Sequence, residues 1–256
     1  MPTRRELLWW ALALAPWARA EDVASFRRAA FDARTLAAAL EPLGLRAPTP
    51  SPEVSLQAPD LHENGAAVPI TLGCSAPGVQ RLLLGIERNP TWLSALFEPS
   101  DALEPEFATR VKMQESSRVI ALAQLADGRL LMASKEVRIT LGGCGGTPDA
   151  APESTGPTLM RVQAAPGGAV VRALMKHEME SGQRKDEAGR VLPPWHIQEV
   201  IARLNGKPVM SAQWGTSISK NPFLQFTLKG AKPGDRVALA WADNRGAQRS
   251  DEVTMA

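Results

Sequence analysis

The sequence carries little net charge for its length, and this shortage limits the partners that it can have. The formal net charge is +2 over 256 residues. Residues 1–20 account for three of the 29 basic and one of the 27 acidic residues, so the rest of the chain is balanced. Binding to a nucleic acid needs a basic patch that neutralises phosphates, so no nucleic-acid partner is expected.

Histidine is scarce as well, and no motif of a common catalytic centre is recognisable. His62, His177 and His196 are far apart in the chain and lack the spacing of metal ligands, so no zinc site is expected. The sequence shows no defensible Ser/His/Asp arrangement and no phosphate-binding loop. These shortages direct attention to the two cysteines, Cys74 and Cys144.

The N-terminus has the pattern of an export signal. Arg4 and Arg5 precede an apolar stretch, Leu7 to Ala15, that is too short to anchor the chain in a bilayer. A small-residue cleavage site follows at Ala18-Arg19-Ala20. The order of residues around the arginine pair resembles a twin-arginine signal, and a general secretory leader with an incidental pair is the alternative. Residues 1–20 are therefore predicted to be an export signal, and the mature protein to be periplasmic with no membrane anchor.

The spacing of apolar residues predicts one helix followed by strands. From Ser25 to Leu40 they recur at three- and four-residue intervals, which predicts one amphipathic helix. From Val54 to Leu141 they alternate, which predicts about seven short strands and a β-sandwich. Asp127-Gly128 lies between two alternating runs and indicates a hairpin turn.

Alternation begins again after a linker, Thr147 to Pro157, that is rich in proline and small polar residues. In the second half, Asn205-Gly206 between two alternating runs is the strongest hairpin signal in the chain. The sequence therefore predicts an all-β protein of two β-sandwich domains, the first of which is preceded by an amphipathic helix.

A cysteine flanked by glycines follows the last predicted strand of the first half. The strand Lys135 to Leu141 runs into an arm formed by Gly142, Gly143, Cys144, Gly145 and Gly146. Glycine adds no side chain to a core and leaves the backbone free, so the arm is predicted to be mobile and to present its thiol. This arrangement favours a covalent carrier, and a glycine-rich hairpin loop with an incidental cysteine is the alternative. No basic residue adjoins Cys144 in sequence, so its thiol is expected to be mostly protonated at neutral pH.

The other cysteine, Cys74, lies on the apolar face of a predicted strand and is expected to be buried. A Cys74–Cys144 disulfide is not expected, because it would immobilise the arm.

The chain resembles the SoxY and SoxZ subunits of the bacterial sulfur-oxidation (Sox) system, fused in one polypeptide. The residues that carry the SoxY likeness are Ala58-Pro59-Asp60 with Glu63-Asn64-Gly65, Val68-Pro69-Ile70, Asn89-Pro90 and the strand and arm from Val137 to Gly146. Those that carry the SoxZ likeness include Met175-Lys176-His177, Met179 to Asp186, His196 to Val200, Asn205 to Pro208, Gln213-Trp214-Gly215 and Ser219 to Phe223.

The resemblance implies two immunoglobulin-like β-sandwiches and a periplasmic, non-catalytic carrier with no cofactor. It divides the chain into a SoxY-like domain (21–146), a linker (147–157) and a SoxZ-like domain (158–256). It also implies that Cys144 holds thiosulfate or a related sulfur species as a cysteine-S-thiosulfonate and, after hydrolysis, as a persulfide. The implied partners are a Sox-type c-type cytochrome, a sulfur hydrolase and a sulfur dehydrogenase.

One departure from the family pattern leaves other functions open. In the separate SoxY subunit the arm is the C-terminus, whereas here it is internal, so two backbones rather than one must enter a partner. The alternatives are a thiol redox or disulfide-exchange protein, and an accessory carrier for a quinoprotein dehydrogenase pathway.

Overall fold

The computed structural model describes residues 28–142, 155–186 and 188–256. The predicted export signal, residues 1–20, lies outside the described residues, as do Gly143, Cys144, Gly145 and Gly146. Among the helices that are described, none has the length and apolar character needed to cross a membrane.

The helical segment is broken where the sequence predicted one continuous helix. Helix α1 is described over residues 28–32, and α2 spans Leu36–Leu40 before a 3₁₀ turn over Glu41–Leu43. Thr35 is extended (φ −130°, ψ 156°), and its hydroxyl accepts a hydrogen bond from the backbone N–H of Ala38. Threonine in this position caps a new helix. The prediction of a single helix to Leu40 was therefore wrong, because a hydroxyl cap overrode the apolar spacing.

Alternating strands account for most of the remaining described residues. The strands of the first half are β1 (Thr49–Pro50), β2 (Val54–Gln57), β3 (Leu61–Asn64), β4 (Val68–Cys74), β5 (Val79–Ile86), β6 (Leu93–Pro99), β7 (Leu103–Val111), β8 (Ser117–Leu125) and β9 (Leu130–Leu141). Those of the second half are β10 (Gly156–Ala165), β11 (Gly168–Lys176), β12 (Ile197–Leu204), β13 (Lys207–Trp214), β14 (Phe223–Lys229), β15 (Arg236–Asp243) and β16 (Gln248–Thr254). The predicted all-β class is confirmed.

Both halves contribute strands to each of two sheets. One sheet has the order β1-β9-β8-β5-β6-β13-β12-β15-β16, with β3 paired to β9, and the other has the order β10-β11-β14-β7-β4-β2. The halves meet where β6 pairs with β13 and where β7 pairs with β14, both antiparallel. The two sandwiches are thus joined edge to edge, and we call these two strand pairs the seam.

The core is continuous across the seam. Phe97 of β6 stacks on Phe107 of β7 with ring centroids 4.5 Å apart, and Phe107 is paired with Phe226 of β14. Trp214 of β13 is fully buried in the same apolar cluster. A smaller cluster, which includes Phe31, lies between the helices and the outer face of the first sheet.

The two predicted hairpin turns are confirmed. Gly128 between β8 and β9 has φ +86°, and Asn205 and Gly206 between β12 and β13 have φ +50° and +80°. Positive φ at both central residues is the geometry that Asn-Gly favours in a two-residue hairpin.

Candidate functional site

The strand that leads to the cysteine extends beyond its main partner. β9 pairs with β8 as far as Val137, opposite Ser117. From Arg138 to Leu141 its described partner is β3, in a parallel ladder. Leu141 is 68% exposed. The side chain at the end of β9, three residues before Cys144, is therefore exposed to solvent.

The start of the arm is held by close backbone packing. We call Gly65, Gln114, Leu141 and Gly142 the arm root. The N–H of Gly65 donates to the carbonyl of Leu141 at 2.7 Å, and the carbonyl of Gly65 accepts from Met113 at 2.7 Å. A Cβ on Gly142 would lie 2.4 Å from the carbonyl oxygen of Gln114, which is too close.

At two positions of the arm root, glycine is therefore needed because a Cβ would not fit, and not because the backbone must be flexible. At Gly65 a Cβ would lie 2.5 Å from the carbonyl oxygen of Met113 and 2.8 Å from that of Leu141. Gly142, which was predicted as part of the mobile arm, is thus also a packing residue at its base. Gly65 belongs to the SoxY likeness, but its contact with Leu141 and that of Gln114 with Gly142 were not predicted, because they join segments that are distant in sequence.

Cys144 itself stays a prediction, since it lies outside the described residues, but chain geometry limits its position. It follows Gly142 by two residues, and two extended residues span roughly 7 Å. The thiol is therefore tied closely to the arm root on the N-terminal side.

The second cysteine is remote from the arm root. Cys74 is 6% exposed at the end of β4, as predicted, and burial raises the pKa of its thiol. Val68, at the other end of β4, pairs with Val111 next to the arm root. Seven strand residues separate the two ends by about 20 Å. Disulfides need Cα atoms within about 7 Å, so the geometry supports the expectation of no Cys74–Cys144 bridge.

The histidines occupy different environments and do not form a metal site. His62 lies at the surface, and its Nδ1 is 2.8 Å from the carbonyl oxygen of Asn64. His177 is buried, and its Nδ1 accepts from the N–H of Met179 while its Nε2 lies 3.3 Å from Asp243 Oδ2. Burial lowers the pKa of His177. Within the described ranges, no group of three or more His, Cys, Asp or Glu side chains could hold a metal ion.

The third histidine lies in the wall of a cavity beside the seam. The cavity has a volume of about 390 Å³ and is lined by residues of α1 and of both halves, among them Arg28, Thr91, His196 and Ser217. His196 Nε2 is 3.3 Å from the Arg28 guanidinium, which can only donate, so this nitrogen is an acceptor and is not free to act as a base. The other ring nitrogen, Nδ1, is buried and has no hydrogen-bond partner in the described part of the chain.

Comparison with known proteins matches the two halves of the chain to two different family models. The model of the family described as "Sulfur oxidation protein SoxY" matches residues 41–144, so its match ends at Cys144. The model described as "Sulphur oxidation protein SoxZ" matches residues 160–254. No curated protein matches the chain.

Solved structures give weaker likenesses. The sulfur carrier protein SoxY from Chlorobium limicola f thiosulfatophilum is 29% identical, with a TM-score of 0.35, over 38% of this chain and 87% of that one. A superoxide reductase (neelaredoxin) from Ignicoccus hospitalis is 20% identical, with a TM-score of 0.30, over 34% of this chain and 79% of that one. These TM-scores are low, and the family assignment rests on the two family matches.

Proposed function

Because the chain belongs to the SoxY family in its first half and to the SoxZ family in its second, we propose that it carries sulfur intermediates covalently on Cys144. The two families indicate a sulfur-oxidation carrier protein. The observation that supports Cys144 as the attachment point is the arm root. It holds Leu141 at the end of β9 and Gly142, which is two residues before that cysteine, and Cys144 is also the last residue of the SoxY match.

In the proposed loading step, the thiol of Cys144 is joined to thiosulfate. The thiol and the terminal sulfur of thiosulfate form an S–S bond, which gives a cysteine-S-thiosulfonate. One proton goes to solvent, and two electrons go to a partner c-type cytochrome. A hydrolase then adds water across the bond between sulfur and the sulfonate group, which releases sulfate and leaves a persulfide on Cys144. A dehydrogenase is the proposed partner for oxidation of that persulfide.

The low reactivity expected of this thiol suits a carrier. An ordinary thiol is only a few per cent thiolate at neutral pH, so it stays unreactive until a partner activates it. A thiol-exchange protein that resolves its own mixed disulfide needs a second thiol within reach. Cys74 is buried about 20 Å from the arm-root end of β4, so it does not offer one.

The internal position of the arm leaves enough chain to form a loop. Gly156 begins β10 opposite Lys176, at the same end of the sandwich as Gly142. Three strand spacings within the sheet and one sheet separation across it place these glycines less than about 25 Å apart. The 13 residues between them span up to about 46 Å when extended. Most of this extra length is on the C-terminal side of Cys144. A partner would therefore receive a loop in which the chain before the cysteine is short and the chain after it is long.

We also place this carrier in the periplasm, exported by the twin-arginine route, because Arg4 and Arg5 precede the apolar stretch of the leader. Export in the folded state suits a protein whose two halves contribute strands to the same two sheets.

Intact-mass measurement tests the carrier function directly. The mature protein is incubated with thiosulfate and the partner cytochrome, and we expect a thiosulfonate adduct on one cysteine. Cys144→Ser should abolish the adduct, whereas Cys74→Ala, which removes the only other thiol, should keep it. No adduct on the wild-type protein, or an equal adduct on Cys144→Ser, would contradict the proposal.

A further inference from the structure

A buried asparagine lies beneath the arm root. Asn89 is 5% exposed and makes three side-chain hydrogen bonds. Its amide nitrogen donates to the carbonyl of Lys112 at 2.8 Å and to the hydroxyl of Ser217 at 3.1 Å. Its amide oxygen accepts from the N–H of Gln114 at 3.0 Å. One side chain therefore joins two segments of the first half to a loop of the second.

The hydrogen bond from Gln114 to Asn89 holds a residue that packs against the base of the arm. Gln114 is the residue whose carbonyl oxygen packs against Gly142 so closely that no Cβ would fit. The preceding residue, Met113, donates its N–H to Gly65, which in turn donates to Leu141. Fixing Gln114 therefore fixes the two contacts that hold the chain immediately before the arm.

The loop of the second half supports the same segment from the other side. Val111 and Ile218 form an isolated bridge, and the N–H of Lys112 donates to the carbonyl of Ser217 at 2.6 Å. The ammonium group of Lys112, also buried, donates to the carbonyl oxygens of Met179 and Thr216. The arm root is thus supported by the second half as well as by its own.

We propose that Asn89 and Ser217 are positioning residues, which act through Gln114 to hold Gly142 and so determine where the Cys144 arm leaves the protein. This inference rests on the proposed carrier function of Cys144. The tether between Gly142 and Cys144 spans only about 7 Å, so a displacement of the arm root moves the cargo by a comparable distance. The second half then contributes to sulfur transfer by holding the arm of the first.

Amide hydrogen exchange tests the positioning role without any sulfur chemistry. The reporter is the N–H of Gly65, which bonds to Leu141 and does not touch Asn89. Losing a buried hydrogen bond of this kind should accelerate its exchange by about five- to thirtyfold in Asn89→Ala. Amides of β15, far from the arm root, report global opening. Ser217→Ala removes only the hydroxyl and should give a smaller acceleration in the same direction.

A matched control is available on the same seam. Thr109 is buried, and its hydroxyl donates to the carbonyl of Phe223 across the seam at 2.9 Å. Thr109→Val also removes one bond between the halves but leaves Asn89 and Gln114 untouched, so Gly65 exchange should stay at the wild-type rate. The proposal would be overturned if the exchange rate of the Gly65 N–H did not change in Asn89→Ala and Ser217→Ala. It would also be overturned if that rate rose only by the same factor as the exchange rates of the β15 amides.

A second measurement links positioning to loading. Asn89→Ala should slow cytochrome-dependent loading of Cys144 severalfold, while its reaction with a small soluble thiol reagent keeps the wild-type rate. Equal slowing of both reactions would indicate an effect on the thiol itself and would contradict positioning. If the wild-type protein does not load at all, the carrier function fails, but the exchange experiment still decides whether Asn89 holds the arm root.

Discussion

Mild acid should destabilise this protein through one buried histidine, His196. Its ring is 5% exposed at the seam, and its Nε2 accepts from Arg28. Burial, together with the positive charges of Arg28 and Lys112, lowers the pKa of His196 to about 3. At the pH values where this ring begins to bind a proton in the unfolded chain, it therefore stays neutral in the folded protein.

The sign and size of the effect follow from the two pKa values. In the unfolded chain the pKa of His196 returns to its ordinary value of 6.5, so between pH 6.5 and pH 3 the unfolded state binds more protons. The free energy of unfolding falls as the pH is lowered through this window, by at most about 1.4 kcal/mol per pH unit. Between pH 7 and pH 5 the loss due to His196 should be about 2 kcal/mol.

Urea unfolding at pH 7, 6 and 5 measures this loss. The variant is His196→Gln, whose amide oxygen can still accept from Arg28, and the control is His62→Gln at the surface. Wild type and His62→Gln should each lose about 2 kcal/mol more than His196→Gln across this range. His177 is present in all three proteins, so its contribution cancels from the comparison. An equal pH dependence in wild type and His196→Gln would refute the assignment.

Two further predictions concern the seam and the leader. A protease site placed in the predicted linker, before β10 begins at Gly156, should yield two fragments that elute together without denaturant, because both sheets and the core cross the seam; two separate peaks would contradict this. Arg4→Lys with Arg5→Lys should abolish export of the folded protein in cell fractionation, whereas unchanged periplasmic recovery would indicate a general secretory leader.

Local sequence pattern predicted many of the strands of this fold and two of its hairpin turns. Alternation identified β4, because Val68, Ile70, Leu72 and Cys74 all face the core. Asn205-Gly206 predicted the β12–β13 hairpin, because few other residue pairs adopt positive φ at two successive positions. Both signals depend on neighbouring residues alone, and for that reason they can be recognised from sequence.

The joining of the two halves could not be predicted in the same way. Alternation shows which face of β6 and β13 is buried, but it does not show which strand lies beside each edge. The pairing of Ala95 with Trp214 joins residues that are 119 positions apart in the numbering. Backbone hydrogen bonds are alike for most residue types, so sheet edges carry little information about their partners.

The candidate site shows the same division between local and distant information. Cys144 and its flanking glycines were recognised from composition. From the sequence alone, each of these glycines was explained by the flexibility that it gives to the backbone. For Gly142 the structure supplies a different reason, since the carbonyl of Gln114 occupies the space of a Cβ. Gln114 is held in turn by Asn89, and Asn89 by Ser217 from the other half. The arm is therefore attached at a closely packed point, and with only about 7 Å of chain between Gly142 and Cys144, we expect any partner that acts on this thiol to bind close to the arm root.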